Sequence, residues 1–180
     1  MSNRLTKIYT RTGDKGHTGL SGGERVAKDS ALIQALGDVD ELNSLLGLIA
    51  CKLDGELVSV IKKLQNDLFN VGAELSCSKK FIHQEDVNYL EQQLDSLNNE
   101  LPPLKEFILP GGGEAACLCH LARSVCRRAE RSLVAACHDY VIDNELMAYT
   151  NRLSDLLFVT ARFIGKRINE KEFYWGKDNE

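Results

Sequence analysis

Six apolar residues, Leu57, Ile61, Leu64, Leu68, Val71 and Leu75, recur at steps of four and three. A strand turns successive side chains to opposite faces, so only a helix gathers this set into one stripe. A stripe this narrow is the seam of a bundle helix that crosses its neighbours at a shallow angle. Beyond residue 28 a helical period holds almost throughout, with no convincing alternation of apolar and polar residues. The expected fold class is all-α.

Local signals place the other helices. Asp29-Ser30 offers an N-cap to a helix of about Ser30 to Lys52, with Leu32, Leu36, Val39, Asn43, Leu46 and Ala50 on one face. A more polar segment, Glu85 to Asn99, stops before Leu101-Pro102-Pro103, because proline has no amide hydrogen and restricts its predecessor. A fourth helix is expected from about Glu114 to His138 and a fifth from about Asp143 to Asn169. Short connections between them predict an up-and-down five-helix bundle in one domain: residues 1–28 form a glycine-rich leader, 29–170 the bundle and 171–180 a tail.

Composition narrows the function. The 180 residues, 43% of them hydrophobic, suffice for one real core. With 22 Lys+Arg against 26 Asp+Glu, the net charge of −4 gives no field to draw nucleic acid or an anionic membrane. No apolar run approaches the roughly 20 residues that span a bilayer, and Met1 to Tyr9 has neither a signal core nor a transit composition, so a cytoplasmic location is expected. The cysteines (Cys51, Cys77, Cys117, Cys119, Cys126, Cys137) form no C-x-x-C pair and lack zinc-ligand spacing; they are expected to be reduced thiols. Those within the fourth helix are expected to act as small hydrophobes.

Two segments break the bundle pattern. Thr10 to Gly23 interleaves glycines with Thr10, Thr12, Thr18 and Ser21 and with Arg11 and Lys15, so amides, hydroxyls and cations could converge on a phosphate. An exposed turn-rich loop is the plainer reading. The segment matches neither the P-loop nor the Rossmann fingerprint, and Lys28 beyond it could add charge or be solvated. The second segment is Phe107-Ile-Leu-Pro-Gly-Gly-Gly113.

The fourth helix has two faces. Leu118, Leu121, Ala122, Val125, Ala129 and Leu133 gather on one side, and His120, Arg123, Arg127, Glu130 and Arg131 on the other. Such a stripe can simply be solvated. Yet Arg123, Arg127 and Arg131 repeat at every fourth position with Glu130 as the acid beside them, which weakens a helix by a few tenths of a kcal/mol per like pair. Asp38, Asp40, Glu41 and Asp155 within the chain, or a bound polyphosphate, could offset that repulsion, since arginine engages either with paired donors. In the fifth helix Asn151-Arg152-Leu153-Ser154-Asp155 is a polar interruption, open to a structural or a ligand role. No E-x-x-H pair suggests a di-iron bundle, and His17, His83, His120 and His138 have no recognisable nucleophile context.

Four strings together resemble one family, the PduO-type ATP:cob(I)alamin adenosyltransferases. They are Ile8-Tyr-Thr-Arg-Thr-Gly-Asp-Lys-Gly-His-Thr-Gly-Leu20, Gly37-Asp-Val-Asp-Glu-Leu-Asn43, Phe107-Ile-Leu-Pro-Gly-Gly112 with His120-Leu-Ala-Arg-Ser-Val-Cys-Arg-Arg-Ala-Glu-Arg131, and Asn151-Arg-Leu-Ser-Asp-Leu-Leu-Phe158. The resemblance implies a homotrimer that transfers the 5′-deoxyadenosyl group of ATP to the cobalt of cob(I)alamin and releases triphosphate, with Mg²⁺ present. It also implies a corrinoid reductase as electron source and an adenosylcobalamin-dependent enzyme as recipient.

By motif, Thr10, Arg11, Thr12, Gly13, Thr18, Gly19 and Lys28 would wrap the nucleotide, with Arg127, Arg128, Glu130, Arg131 and Asn151 on a facing surface. The catalytic set would be Arg127 and Lys28 on the leaving triphosphate, Asp40 paired with Arg123 on the corrinoid side, and Phe107 beneath the corrin ring. The Mg²⁺ ligands stay unassigned. Cys117, Leu118, Cys119 and Thr150 depart from the family pattern at positions that suggest packing. The competing readings are a non-catalytic ATP or corrinoid carrier or sensor, and a helical oligomerisation module.

Overall fold

The computed structural model describes residues 8–77 and 79–176. Met1 to Lys7, and so the start of the leader, lie outside them, as do Ser78 and the last four residues of the tail. The chain runs through strands β1 (His17–Gly19) and β2 (Arg25–Ala27), then helices α1 (Ala31–Ala50), α2 (Glu56–Cys77), α3 (Gln84–Asn98), α4 (Gly113–Ala136) and α5 (Asn144–Arg167). The helices follow the sequence expectation closely. Ser30 caps α1 by accepting from the Ile33 amide at 3.5 Å, and all six residues of the α2 seam are buried, each such side chain contributing about 1.5–3 kcal/mol of transfer free energy.

Backbones pack α2 on α1, α1 on α4, α4 on α5 and α5 on α3. Spatial order therefore differs from chain order, and α3 lies against α5 and not along α2. One buried knot still ties the flanks. Tyr149 of α5 donates to Asp67 Oδ2 of α2 at 3.0 Å, and Lys63 Nζ approaches the same oxygen at 2.6 Å.

Several expectations are corrected. The leader is not only loop: β1 and β2 pair antiparallel, His17 opposite Ala27 and Gly19 opposite Arg25. Three-residue strands are too short to write an alternation into the sequence. On α4, Leu121 is exposed and His120 buried, opposite to the faces expected, because α1 and α5 flank α4 on two sides and the arc they bury, through Ala116, His120, Ala122, Cys126 and Leu133, is turned away from Leu121. Cys119 and Cys126 behave as small hydrophobes, and burial pushes the Cys119 thiol up to about 12, but Cys117 and Cys137 are exposed. The tail also has structure. After α5 the chain turns back, so that Tyr174 bridges Ile108 and the Leu109 amide donates to Phe173 O at 2.8 Å.

Candidate active site

The leader forms one half of a site. Positive φ at Gly16 and Gly23 (80° and 92°), a region open to glycine, bends the chain around the hairpin. The Arg25 guanidinium ties it internally by donating to Thr12 O at 2.8 Å and His17 O at 3.2 Å. Thr10 and Thr12 share a hydroxyl hydrogen bond of 2.9 Å, and Arg11 lies over the Tyr9 ring. The Lys28 ammonium lies over Gly13, where a Cβ would stand 3.2 Å from Nζ. Ser76, near the end of α2, docks the leader by accepting from the Ser21 amide at 2.7 Å. Between leader and helices opens a cleft of about 420 Å³, lined among others by Thr18, Gly19, Asp40, Phe69 and Ser76.

The arginine stripe forms the other half. Arg123 and Arg127 line a cleft of about 360 Å³ with Asn98, Ser154, Asp155 and Phe158, between α3, α4 and α5. Beside it Asn151 donates to Glu130 Oε1 at 2.9 Å, and Arg131 donates to Arg127 O at 3.0 Å. Arg128 points elsewhere. It pairs with buried Asp38 at 3.1 Å and with Glu41, and Ser132 also donates to Asp38. Of the in-chain acids that could have neutralised the stripe, Asp38 and Glu41 are thus held by Arg128, and Asp155 lies near Arg152 at 3.9 Å. Among the described residues none of Arg123, Arg127 and Arg131 forms an ion pair. The Arg123 Nε is buried without a hydrogen-bond partner, a donor that costs stability until something accepts from it.

His120 sits one turn from Arg123, its Nδ1 buried and unpartnered, edge-on to Phe158 at 6.0 Å between centroids. Burial first, and the Arg123 charge second, hold its pKa below the ordinary value against the pull of Glu172. The ring is neutral near pH 7. Phe107 belongs to neither cleft: it is 78% exposed, on a segment held by its main chain to the tail.

The geometry brings Thr18 and Gly19 to Asp40 and Glu130 to Asn151, with Thr10, Arg11, Thr12, Gly13 and Lys28 on the leader outside that cleft's lining, and it does not bring the two sets together. Asp40 and Arg123 line different clefts, with no ion pair between them among the described residues. Phe69, 72% exposed in the leader cleft, and Ser76 were missed by sequence reasoning. A large apolar residue one position off the α2 seam was the signal available for Phe69.

Comparison with known proteins agrees with this architecture. The family model for cobalamin adenosyltransferase matches residues 8–164. A cobalamin adenosyltransferase of Cupriavidus metallidurans is 44% identical over 183 aligned residues that cover 100% of both chains. A corrinoid adenosyltransferase of Bacillus subtilis is 42% identical over 170 residues, 89% of this chain and 88% of that one. Among solved structures, a variant of the PduO-type ATP:corrinoid adenosyltransferase from Lactobacillus reuteri, complexed with cobalamin and ATP, gives a TM-score of 0.91 at 32% identity, covering 95% of this chain and 97% of that one. Matched in sequence from the leader to the end of the last helix and in fold over nearly all its length, the chain belongs to the cobalamin adenosyltransferase family and is an enzyme that adenosylates a corrinoid with ATP as donor.

Proposed function

We propose that two copies of this chain close each active site, the leader of one against the α4 face of the next, and that a closed ring of three copies repeats the contact. The observation that carries this reading is the separation of the half-sites: Thr18 and Gly19 line the leader cleft and Arg123 and Arg127 line the other, and neither lining includes residues of both sets. Such a contact joins two different surfaces, which is what closes a cyclic oligomer. It would let Asp40 of one copy meet Arg123 of the next, giving the orphaned Nε an acceptor.

Within that cleft the 5′-deoxyadenosyl group passes from ATP to the cobalt of cob(I)alamin, and the C5′–O bond breaks to release triphosphate. The cobalt supplies the electron pair, so the chain needs no general base. Its own work is electrostatic. Arg127 and Lys28 meet the negative charge that grows on the leaving triphosphate, a contribution of roughly 3–4 kcal/mol per well-placed donor in a water-poor site. Thr10, Arg11, Thr12, Gly13, Thr18 and Gly19 hold the nucleotide from the leader side, and the Asn151–Glu130 pair with Arg131 holds it from the other.

Among the described residues no three His, Cys, Asp or Glu side chains converge on a metal position. That fits Mg²⁺ carried mainly by phosphate oxygens and water, with at most one or two carboxylates such as Glu130. Exposed Phe107 supplies an apolar surface for the lower face of the corrin, where it can displace a ligand but cannot replace it. Electron supply to cob(II)alamin falls to a separate reductase, and the product goes to an adenosylcobalamin-dependent enzyme in the cytoplasm.

Mixing inactive chains tests the shared site. Lys28→Ala and Arg127→Ala proteins, each nearly inactive alone, should regain activity when co-assembled, because up to about a quarter of the interfaces then carry both intact halves. No recovery in verified mixed oligomers would place the site within one chain and end the proposal.

A further inference from the structure

The Phe107 ring is largely exposed, so the residue is aimed by its backbone and not by packing of its side chain. Two tethers hold that backbone. On one side it pairs with the tail: the Trp175 amide donates to Phe107 O and the Leu109 amide to Phe173 O, each at 2.8 Å. At the far end of the segment, Gly112 lies directly on α5. A Cβ added to Gly165 would stand 3.3 Å from Gly112 Cα and 3.7 Å from its carbonyl oxygen.

Both tethers converge on Gly165. Its carbonyl accepts the Glu170 amide at 2.9 Å, and with Asn169 at φ 57° this bond turns the chain out of α5 and back along Phe107 to Leu109. Glycine is a poor choice for a buried helical position unless another backbone must come close, and here one does. We infer that Gly165 is a positioning residue: it seats the 107–112 segment and launches the tail back along it, and so fixes where Phe107 stands. The inference rests on the reading of Phe107 as the group beneath the corrin, and it assigns a role in the reduction-linked half of the reaction to a residue on the opposite side of the glycine run.

Gly165→Ala is the informative variant, because Gly112 and Gly113 have positive φ (93° and 86°) and would be strained by any side chain. Alanine is the better helix former, so the bundle should keep its thermal midpoint while the 107–112 segment shifts by a few tenths of an ångström. A displacement of that size should lower turnover from cob(II)alamin with a reduced-flavin donor about tenfold, and turnover from pre-reduced cob(I)alamin less than about threefold. The electron paramagnetic resonance spectrum of bound cob(II)alamin should shift toward that of the free corrinoid. Phe107→Ala is run in parallel. If Phe107→Ala shows the selective loss while Gly165→Ala shows equal losses or none, the positioning role is overturned and the Phe107 reading stands. If Phe107→Ala is itself unselective, both fall.

Should Gly165→Ala not fold, Trp175→Pro carries the test. It removes the amide that donates to Phe107 O without touching a helix, and Trp175→Ala controls for the ring. A selective loss in the proline variant alone supports the tether; identical behaviour of the two overturns it.

Discussion

The leader cleft and the arginine cleft are held open by different means. Around the leader, glycines and main-chain hydrogen bonds set the shape, and most of Thr10 to Lys28 stays exposed, with Val26 buried and Leu20 packed against the core. Around Arg123 and Arg127, two helices packed through Ala122, Cys126, Ala129, Leu153 and Leu157 fix the backbone, and the functional groups are long side chains standing on it. A packed helix places charge without further ordering. A leader held mainly by exposed hydrogen bonds, with few packed side chains, opens locally at lower cost than a packed helix. The difference teaches where selectivity and turnover separate: losing a helix-borne cation should damage the transition state, and loosening the leader should first damage binding.

Four measurements break or sharpen this comparison. The largest effect is expected from Arg127→Ala, with kcat reduced about 10²–10³-fold and an unchanged thermal midpoint, since Arg127 is exposed and forms no ion pair among the described residues. A wild-type rate would remove its leaving-group role. Next comes Lys28→Ala, expected to lower kcat/KM for ATP by about 10²-fold or more, the loss shared between a lower kcat and a raised KM; a loss confined to kcat would make the leader as catalytic as the helix and erase the contrast.

One residue along from Arg127, Arg128→Ala should do the reverse. Leaving Asp38 buried with fewer donors should cost about 1–3 kcal/mol of stability in urea unfolding, while turnover of the folded protein stays within about threefold. Comparable losses of turnover in the two arginine variants would mean that Arg128 also reaches substrate.

The smallest effect concerns His120. Its folded pKa is depressed by burial and by Arg123, so the unfolded chain binds the proton more readily. Stability from this group is full above about pH 6.5 and declines as pH falls through the folded value. The thermal midpoint should drop between pH 7 and pH 5, and less so in His120→Gln. An equal drop in both proteins would assign the acid sensitivity to other groups.

Legibility in the sequence varied with range. The α2 seam, the Ser30 cap and the proline stop after α3 were readable because each depends on residues within a few positions of one another. His120 and Leu121 were misplaced because burial on α4 depends on which arc α1 and α5 cover together, which no single-helix period encodes. The stripe itself was visible, but its division was not. Arg128 binds acids that sit about 90 positions away on α1, so only packing could tell it from Arg127. The tail's bridge was invisible for a similar reason: the partner of Tyr174 is Ile108, across the whole of α4 and α5.

From the sequence alone came the helical class, the glycine-rich leader, the basic face and the strings that resemble the family, since these are properties of local spacing and residue type. Tertiary structure decided that the leader and the basic face lie apart in one chain, that Arg128 is committed to Asp38 and Glu41, and that the Phe107 segment is clamped between the tail and Gly165. The physical reason is that hydrogen bonds and ion pairs between distant segments form only after helix packing has fixed which surfaces meet.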